Sequence, residues 1–208
     1  MPTATPDTGP APPTELALLA GPQELRRQVQ RIAGVIDAQH PSGVTLVGVL
    51  KGSVIFLADL ARHVRVPVRV EFLAVAPYDG AETRTRIVKD LDASVRDEAV
   101  VLVVGIVDTG LSSDFCLRHL RQEEPASLRV CALADKATRR LLPVPIDYAA
   151  VAAPDRFLVG YGLDYAGRYR NVAGLWSGDG AALAADPDRY VGALYRSPVR
   201  GPTGRDQR

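Results

Sequence analysis

Only two cysteines, Cys116 and Cys131, occur in the chain, and neither stands in a CxxC pair or at metal-ligand spacing. Their absence elsewhere argues against a disulfide framework or a thiolate metal centre. Both fall inside apolar periodic segments, which reads as buried reduced thiols and fits a cytosolic, cytoplasmic protein. Charge of one sign is also lacking: 25 Lys and Arg against 24 Asp and Glu leave a net +1. There is no global basic field to call for nucleic acid or an anionic membrane, so any anion must be bound locally. No apolar run approaches the length that spans a bilayer. The first residues, MPTATPDTGPAPPTE, lack the basic and apolar regions of a secretory signal. No internal repeat is present.

What remains, 47% hydrophobic and 24% charged residues, is the make-up of one globular domain with an ample core. Residues 1–13, rich in Pro, Thr and Ala, are expected to be a disordered tail. The domain is placed at 14–176, with 177–208 a partly disordered C-terminal extension rich in Gly, Asp, Pro and Arg. Within that extension, 188–195 puts Val191, Leu194 and Tyr195 on one helical face, as a docking segment does.

Between the ends, strand and helix patterns alternate. Leu25, Val29, Ile32 and Ile36 recur at helical spacing behind Gly21-Pro22, and this helix closes near His40-Pro41. Residues 44–50, 68–76, 100–104 and 128–134 read as strands. Residues 54–64 read as a helix with Ile55, Leu57, Ala58 and Leu60 towards its buried side, and 114–122 as another. The alternation predicts an α/β fold with a mostly parallel sheet flanked by helices. Ligands bind such sheets beyond the carboxyl ends of the strands, so the loops after Leu50, Ala76, Val104 and Ala134 should converge.

Those loops carry the polar chemistry. In IVDTGLSS an apolar strand breaks at Asp108 and meets Thr109-Gly110, followed by Ser112 and Ser113. Unpaired N–H groups and the dipole at a helix start favour an anion there, with Gly110 letting the backbone approach closely. An ordinary strand-turn-helix corner capped by Ser112 or Ser113 is equally consistent with this stretch. Lys51-Gly52-Ser53 reads either as a second anion site or as a serine-capped helix start beside a solvated lysine. The polar stretch 77–86, with Tyr78, Arg84 and Arg86, is either a lid or a hairpin loop. Lys136 points to the shared cleft, although with Arg139 and Arg140 it is also a plain solvated basic turn. Finally, 154–170 gathers Phe157, Asp164 and Arg170, a flat ring, a carboxylate and a cation in one short stretch. An aromatic platform suits a planar base, though an edge strand with core aromatics has the same composition.

Taken in order, VGVLKGSVIFLADL, VEFLAVAPY, VKDLD, IVDTG, LADKATRR and PDRFLVGYGLDYAGRYRN resemble the hypoxanthine-guanine phosphoribosyltransferase family from about Glu24 to about Trp176. The resemblance implies the type I phosphoribosyltransferase fold, with a small base-binding subdomain assembled from the terminal segments. It implies a magnesium-dependent (Mg2+) purine salvage enzyme that joins hypoxanthine or guanine to phosphoribosyl pyrophosphate (PRPP), giving IMP or GMP. By the same resemblance, Asp108, Thr109, Gly110, Leu111 and Ser112 cradle the 5-phosphate, and Asp108 is the catalytic base. Lys51, Gly52 and Arg170 hold pyrophosphate, with a cis peptide before Lys51. Lys136 donates to the purine O6, Phe157 stacks on the ring, and Leu158 and Asp164 meet its exocyclic edge. Asp164 also lies near magnesium, the lid carries Tyr78, and a homo-oligomer, dimer or tetramer, is implied.

The chain departs from this pattern at two sites. Relatives have two consecutive acids, which bind the ribose hydroxyls, where this chain has Val104 and Gly105. If each lost charge-assisted hydrogen bond is worth roughly 1.5 to 3 kcal/mol, the transition state weakens by a few powers of ten, and acids restored there are expected to raise PRPP affinity or rate. Pro77 replaces a serine before the lid tyrosine, which stiffens the lid. The alternatives are a non-catalytic relative that binds nucleotide or PRPP, and transfer to a non-purine acceptor.

Overall fold

The structure is a computed structural model that describes residues 16–76 and 85–195. Residues 77–84 of the expected lid, Pro77 and Tyr78 among them, and the expected tail 1–13 lie outside the described residues, while Arg86 opens a strand. Six strands form the main sheet: β2 (Val44–Leu50), β3 (Val68–Ala76), β4 (Arg86–Lys89), β5 (Ala99–Val107), β6 (Ser127–Asp135) and β7 (Tyr148–Ala152). Their order is β4-β3-β2-β5-β6-β7, parallel throughout except for the antiparallel β3–β4 pair. A second, antiparallel sheet joins β1 (Ala17–Ala20), β9 (Leu175–Gly178) and β8 (Phe157–Val159). This small sheet brings one strand from the start of the domain to two from its end, as the resemblance implied.

The apolar run in β5 follows from its place in the middle of the sheet. Val101 and Val103 join the core beneath α1 (Pro22–Gln39) and α2 (Val54–His63), while Val100 and Leu102 join the core beneath α3 (Leu111–Gln122). With both faces covered, the strand needs no polar alternation. It continues to Val107 rather than stopping at Val104, because β6 supplies partners as far as the Val107–Asp135 pair. Asp108 is thereby delivered at the strand's carboxyl end. Chain order reverses between neighbouring β2 and β5, and the loops after these two strands flank the crevice where such sheets bind ligands.

Several local expectations change. The buried stripe of α2 is Phe56, Leu57 and Leu60, whereas Ala58 and Ile55 are exposed. Phe56 and Leu60, four residues apart, share a face with Leu57, and the wheel drawn through Ile55 is rotated by about a residue. Helix α3 begins at Leu111, three residues before the expected start, since Gly110 at φ 91° turns the chain straight into the helix. Strands β1, β4, β7 and β9, each of 4 or 5 residues, carry too short a pattern to be read from sequence.

The tail is more ordered than expected from Ser177 to Tyr195, while Val191 and Leu194 dock as the helical face at 188–195 predicts. Ser177 and Gly178 belong to β9, and Asp179 caps α4 (Gly180–Ala185) by accepting from the Ala181 and Ala182 N–H groups. Leu183 and Tyr190 are buried in a third cluster with Val159 and Tyr169, against which Val191 and Leu194 of α5 (Val191–Tyr195) pack. The Tyr169 hydroxyl donates to the Pro187 carbonyl at 2.6 Å, and the Tyr195 hydroxyl to Asn171 Oδ1 at 2.8 Å.

A titration prediction arises at the end of α1. His40 is buried, and its Nε2 has no hydrogen-bond partner among the described residues. Burial, and secondarily the charge on Arg129, hold its pKa below the usual histidine value. The unfolded chain therefore takes up this proton before the folded one, and stability falls as pH drops through the ordinary imidazole range. Denaturant titrations of His40→Asn between pH 5 and 8 are expected to show a shallower acid decline than the parent protein.

Candidate active site

The anion loop is built from the end of β5 and the start of α3. Asp114 N–H makes the first helical bond, to the Gly110 carbonyl at 2.8 Å, which leaves the N–H groups of Leu111, Ser112 and Ser113 without helical acceptors. Neither Ser112 nor Ser113 caps the helix, so the capped-corner reading does not hold. A Cβ at Gly110 would sit 2.6 Å from the Leu142 carbonyl oxygen, and its φ is left-handed, so only glycine fits the turn. The segment after β6 braces the loop from behind. Leu141 and Leu142 N–H donate to the Thr109 carbonyl at 2.9 and 3.0 Å.

Arg140 is part of this brace and not a solvated residue of a basic turn. Its Nε donates to the Asp108 carbonyl at 3.1 Å, and its guanidinium pairs with Asp135. Arg140→Ala is expected to lower stability by about 1.5 to 3 kcal/mol in denaturant titrations, the worth of charge-assisted bonds left unmade. PRPP affinity should fall with it, because the loop loses its support.

On the β2 side, the Leu50–Lys51 peptide is cis, as implied. Ser53 occupies the N-cap position of α2 without capping it; its hydroxyl donates back to the Val49 carbonyl at 2.7 Å. That bond ties the loop carrying Lys51 and Gly52 to the strand it leaves.

The loops meet around a cavity of about 340 Å3 whose lining includes Lys51, Gly52, Asp108, Lys136, Phe157, Leu158, Asp164 and Arg170. These are all the residues named above for base, pyrophosphate and proton transfer, drawn from four separate stretches of chain. Ile106 and Leu163 complete the wall. Lys136 is buried, and its Nζ lies 3.8 Å from Asp108 Oδ2. Phe157 meets Tyr165 edge to face, with ring centroids 5.3 Å apart. Arg170 donates to the Gly162 carbonyl at 2.6 Å and pairs with Asp164 Oδ1 at 2.7 Å, while Asp164 Oδ2 accepts the Gly167 N–H at 2.9 Å. Thr109, Gly110, Leu111 and Ser112 stand beside this cavity in the anion loop, and Tyr78 lies outside the described residues.

One residue of the site was not singled out from the sequence. Arg139 Nε stands 2.8 Å from Asp108 Oδ1, and its guanidinium also pairs with Asp155 at 3.1 Å. Arg139 thus holds its charge against two carboxylates, Asp155 and Asp108, which raise its pKa. The only sequence signal was its place three residues after Lys136, which a one-turn 3-10 helix over Ala137–Arg139 brings back to the cleft. Cys116 lies under the anion loop, buried, with its thiol pushed up to about 11 by burial, and Cys131 is buried and free as well.

Among the described residues no three His, Cys, Asp or Glu side chains gather as a metal cage, and no helix is long and apolar enough to cross a membrane. Two carboxylates stand at the cavity wall, Asp108 beside Lys136 and Asp164 beside Arg170; a magnesium ion held at Asp164 would complete its shell with substrate phosphate oxygens and water.

Residues 17–166 match the model of the phosphoribosyl transferase domain. The chain is 42% identical over 155 residues to the hypoxanthine phosphoribosyltransferase of Salmonella typhimurium, covering 72% of this chain and 87% of the relative. It is 37% identical over 180 residues to the hypoxanthine-guanine phosphoribosyltransferase of Mycobacterium avium, covering 79% and 89%. A solved structure of the hypoxanthine phosphoribosyltransferase of Trypanosoma cruzi superimposes with a TM-score of 0.77 at 31% identity, covering 84% of this chain and 98% of that one. By the family model that covers most of the chain and by these relatives, the chain belongs to the phosphoribosyltransferase family, on the branch of the hypoxanthine and hypoxanthine-guanine enzymes.

Proposed function

We propose that this protein transfers the phosphoribosyl group of PRPP to hypoxanthine or guanine, releasing pyrophosphate and forming IMP or GMP. The observation that supports this best is the cavity in which Lys136, Phe157 and Asp108 stand together beside a helix-start anion loop. A flat apolar face, a buried cation and a carboxylate are what a planar base with a carbonyl oxygen and an acidic N–H requires.

The 5-phosphate sits on the N–H groups of Leu111, Ser112 and Ser113, with the Thr109 and Ser112 hydroxyls as further donors. Lys136 donates to O6 of the purine, Phe157 covers one face of the ring, and the main chain at Leu158 and Asp164 meets the exocyclic edge. Substitution takes place at the anomeric carbon. The bond to purine N9 forms, the bond to pyrophosphate breaks, and the N7 proton passes to the Asp108 carboxylate. Lys51, the Gly52 backbone and Arg170 hold the leaving pyrophosphate and stabilise its charge. Magnesium, when bound with PRPP near Asp164, supplies charge neutralisation on the departing oxygens.

The protein is proposed to work in the cytoplasm as a homo-oligomer, a dimer or tetramer. The direct test is pyrophosphate release with PRPP, magnesium and each of hypoxanthine, guanine, xanthine and adenine, against a control without base. Release dependent on hypoxanthine or guanine is the expected result. Nucleotide binding without release would establish the non-catalytic alternative, and release with none of these bases but with another acceptor would establish the third.

A further inference from the structure

Beside the base cavity, and sharing Gly52, Ile106 and Leu163 with it, lies a second hollow of about 210 Å3, whose wall also includes Val49, Val104 and Gly105. With the phosphate on the first turn of α3 and the base against Lys136 and Phe157, the sugar of a bound nucleotide spans this seam. Its wall is apolar. Among the described residues neither Asp nor Glu lines the hollow, and the only side-chain polar groups are the hydroxyls of Ser112 and Ser113 and the Cys116 thiol. Ser112 is exposed at the helix start where the phosphate sits, and Ser113 is buried beneath it.

The wall is also closed by backbone. A Cβ at Gly105 would lie 2.9 Å from the Gly52 carbonyl oxygen, and one at Gly162 would lie 2.7 Å from the same atom. The loop carrying Lys51 and Gly52 is thus seated on two glycines, and the space beside Gly105 into which a longer side chain would reach is taken by Gly52 and by Leu163. Val104 is buried in the core with Val47, Leu102 and Leu117, where a charge has no partner.

We infer that the sugar subsite of this enzyme is an apolar wall that does not read the ribose diol, so that it takes 2′-deoxyribonucleotides and ribonucleotides with nearly equal affinity. The inference rests on the reading of the site given above. A hydroxyl bonded to a carboxylate discriminates against its deoxy analogue by roughly tenfold or more, since bonds to charged groups are worth that much. A hydroxyl laid against valine, leucine and a glycine backbone does not. Discrimination at this site therefore falls on the base and the phosphate.

The test is calorimetric titration of the full-length protein with IMP and with 2′-deoxy-IMP, without pyrophosphate, so that no metal-pyrophosphate bridge touches the sugar. Inosine serves as the control for the phosphate loop. Dissociation constants for the two nucleotides within about threefold, with inosine far weaker, are the expected result. Discrimination beyond that against the deoxynucleotide, while IMP binds tightly, overturns this inference and leaves the proposed function standing. Absence of binding by either nucleotide, or inosine binding as well as IMP, overturns both.

Discussion

Replacing Asp108 by Asn is expected to lower turnover by about 10² to 10⁴, the range typical of a lost general base. Nucleotide affinity should stay within a few fold, because the loop is held through main-chain atoms. Arg140 grips the Asp108 carbonyl, and Leu141 and Leu142 grip that of Thr109, neither of which the substitution touches. What Asn removes is the charge facing Lys136 and Arg139. The Arg139 pair is half-exposed, and its loss costs about 1 kcal/mol. Steady-state kinetics with hypoxanthine, set beside IMP titrations, separates the two roles. Equal losses in turnover and binding would make Asp108 a structural residue of the loop.

Much of this arrangement was legible because the signals were long or chemically specific. The continuous apolar run from Val100 to Val104 marks a strand covered on both faces, and the Asp108-Thr109-Gly110 turn marks where it ends. Lys136, Phe157 and Arg170 were reached by the family's motif order, and no periodicity distinguishes them from a basic turn or a core aromatic. What could not be read depends on contacts distant in sequence. Arg140 looks like a solvated residue until the 135–142 segment folds against the loop after β5. Ile55 looks buried until the stripe Phe56, Leu57 and Leu60 fixes the rotation of α2. The residues from Ser177 to Tyr195 look like an extension, yet Tyr169, Leu183 and Tyr190 make them part of the small subdomain.

The same dependence on distant contacts reverses the expectation that restored acids would improve the enzyme. From sequence, Val104 and Gly105 are two missing ligands for the ribose, and Val104→Glu with Gly105→Asp should supply them. In the folded protein the positions have other occupations. The Cβ of Asp would come within 2.9 Å of the Gly52 carbonyl oxygen, and a backbone atom cannot yield as a side-chain tip can. Val104 is buried under α3 and edges the hollow, whose wall among the described residues has no cation, so a glutamate there carries its charge into an apolar surround unpaired. The double variant is therefore expected to lose about 3 to 5 kcal/mol of stability, as buried uncompensated charge does, and to bind PRPP more weakly than the parent. Gly105→Ala isolates the steric part. It adds one methyl group at a close-packed contact, costing about 1 to 3 kcal/mol, and pushes the loop bearing Lys51 away from β5. A displacement of even about 1 Å there is enough to reduce turnover by about 10², since the leaving group is held by that loop. Thermal and denaturant unfolding of both variants, with PRPP titrations on whatever remains folded, decides the matter. A stable double variant with tighter PRPP binding would show that the loop is free to withdraw and that the acid positions were open after all.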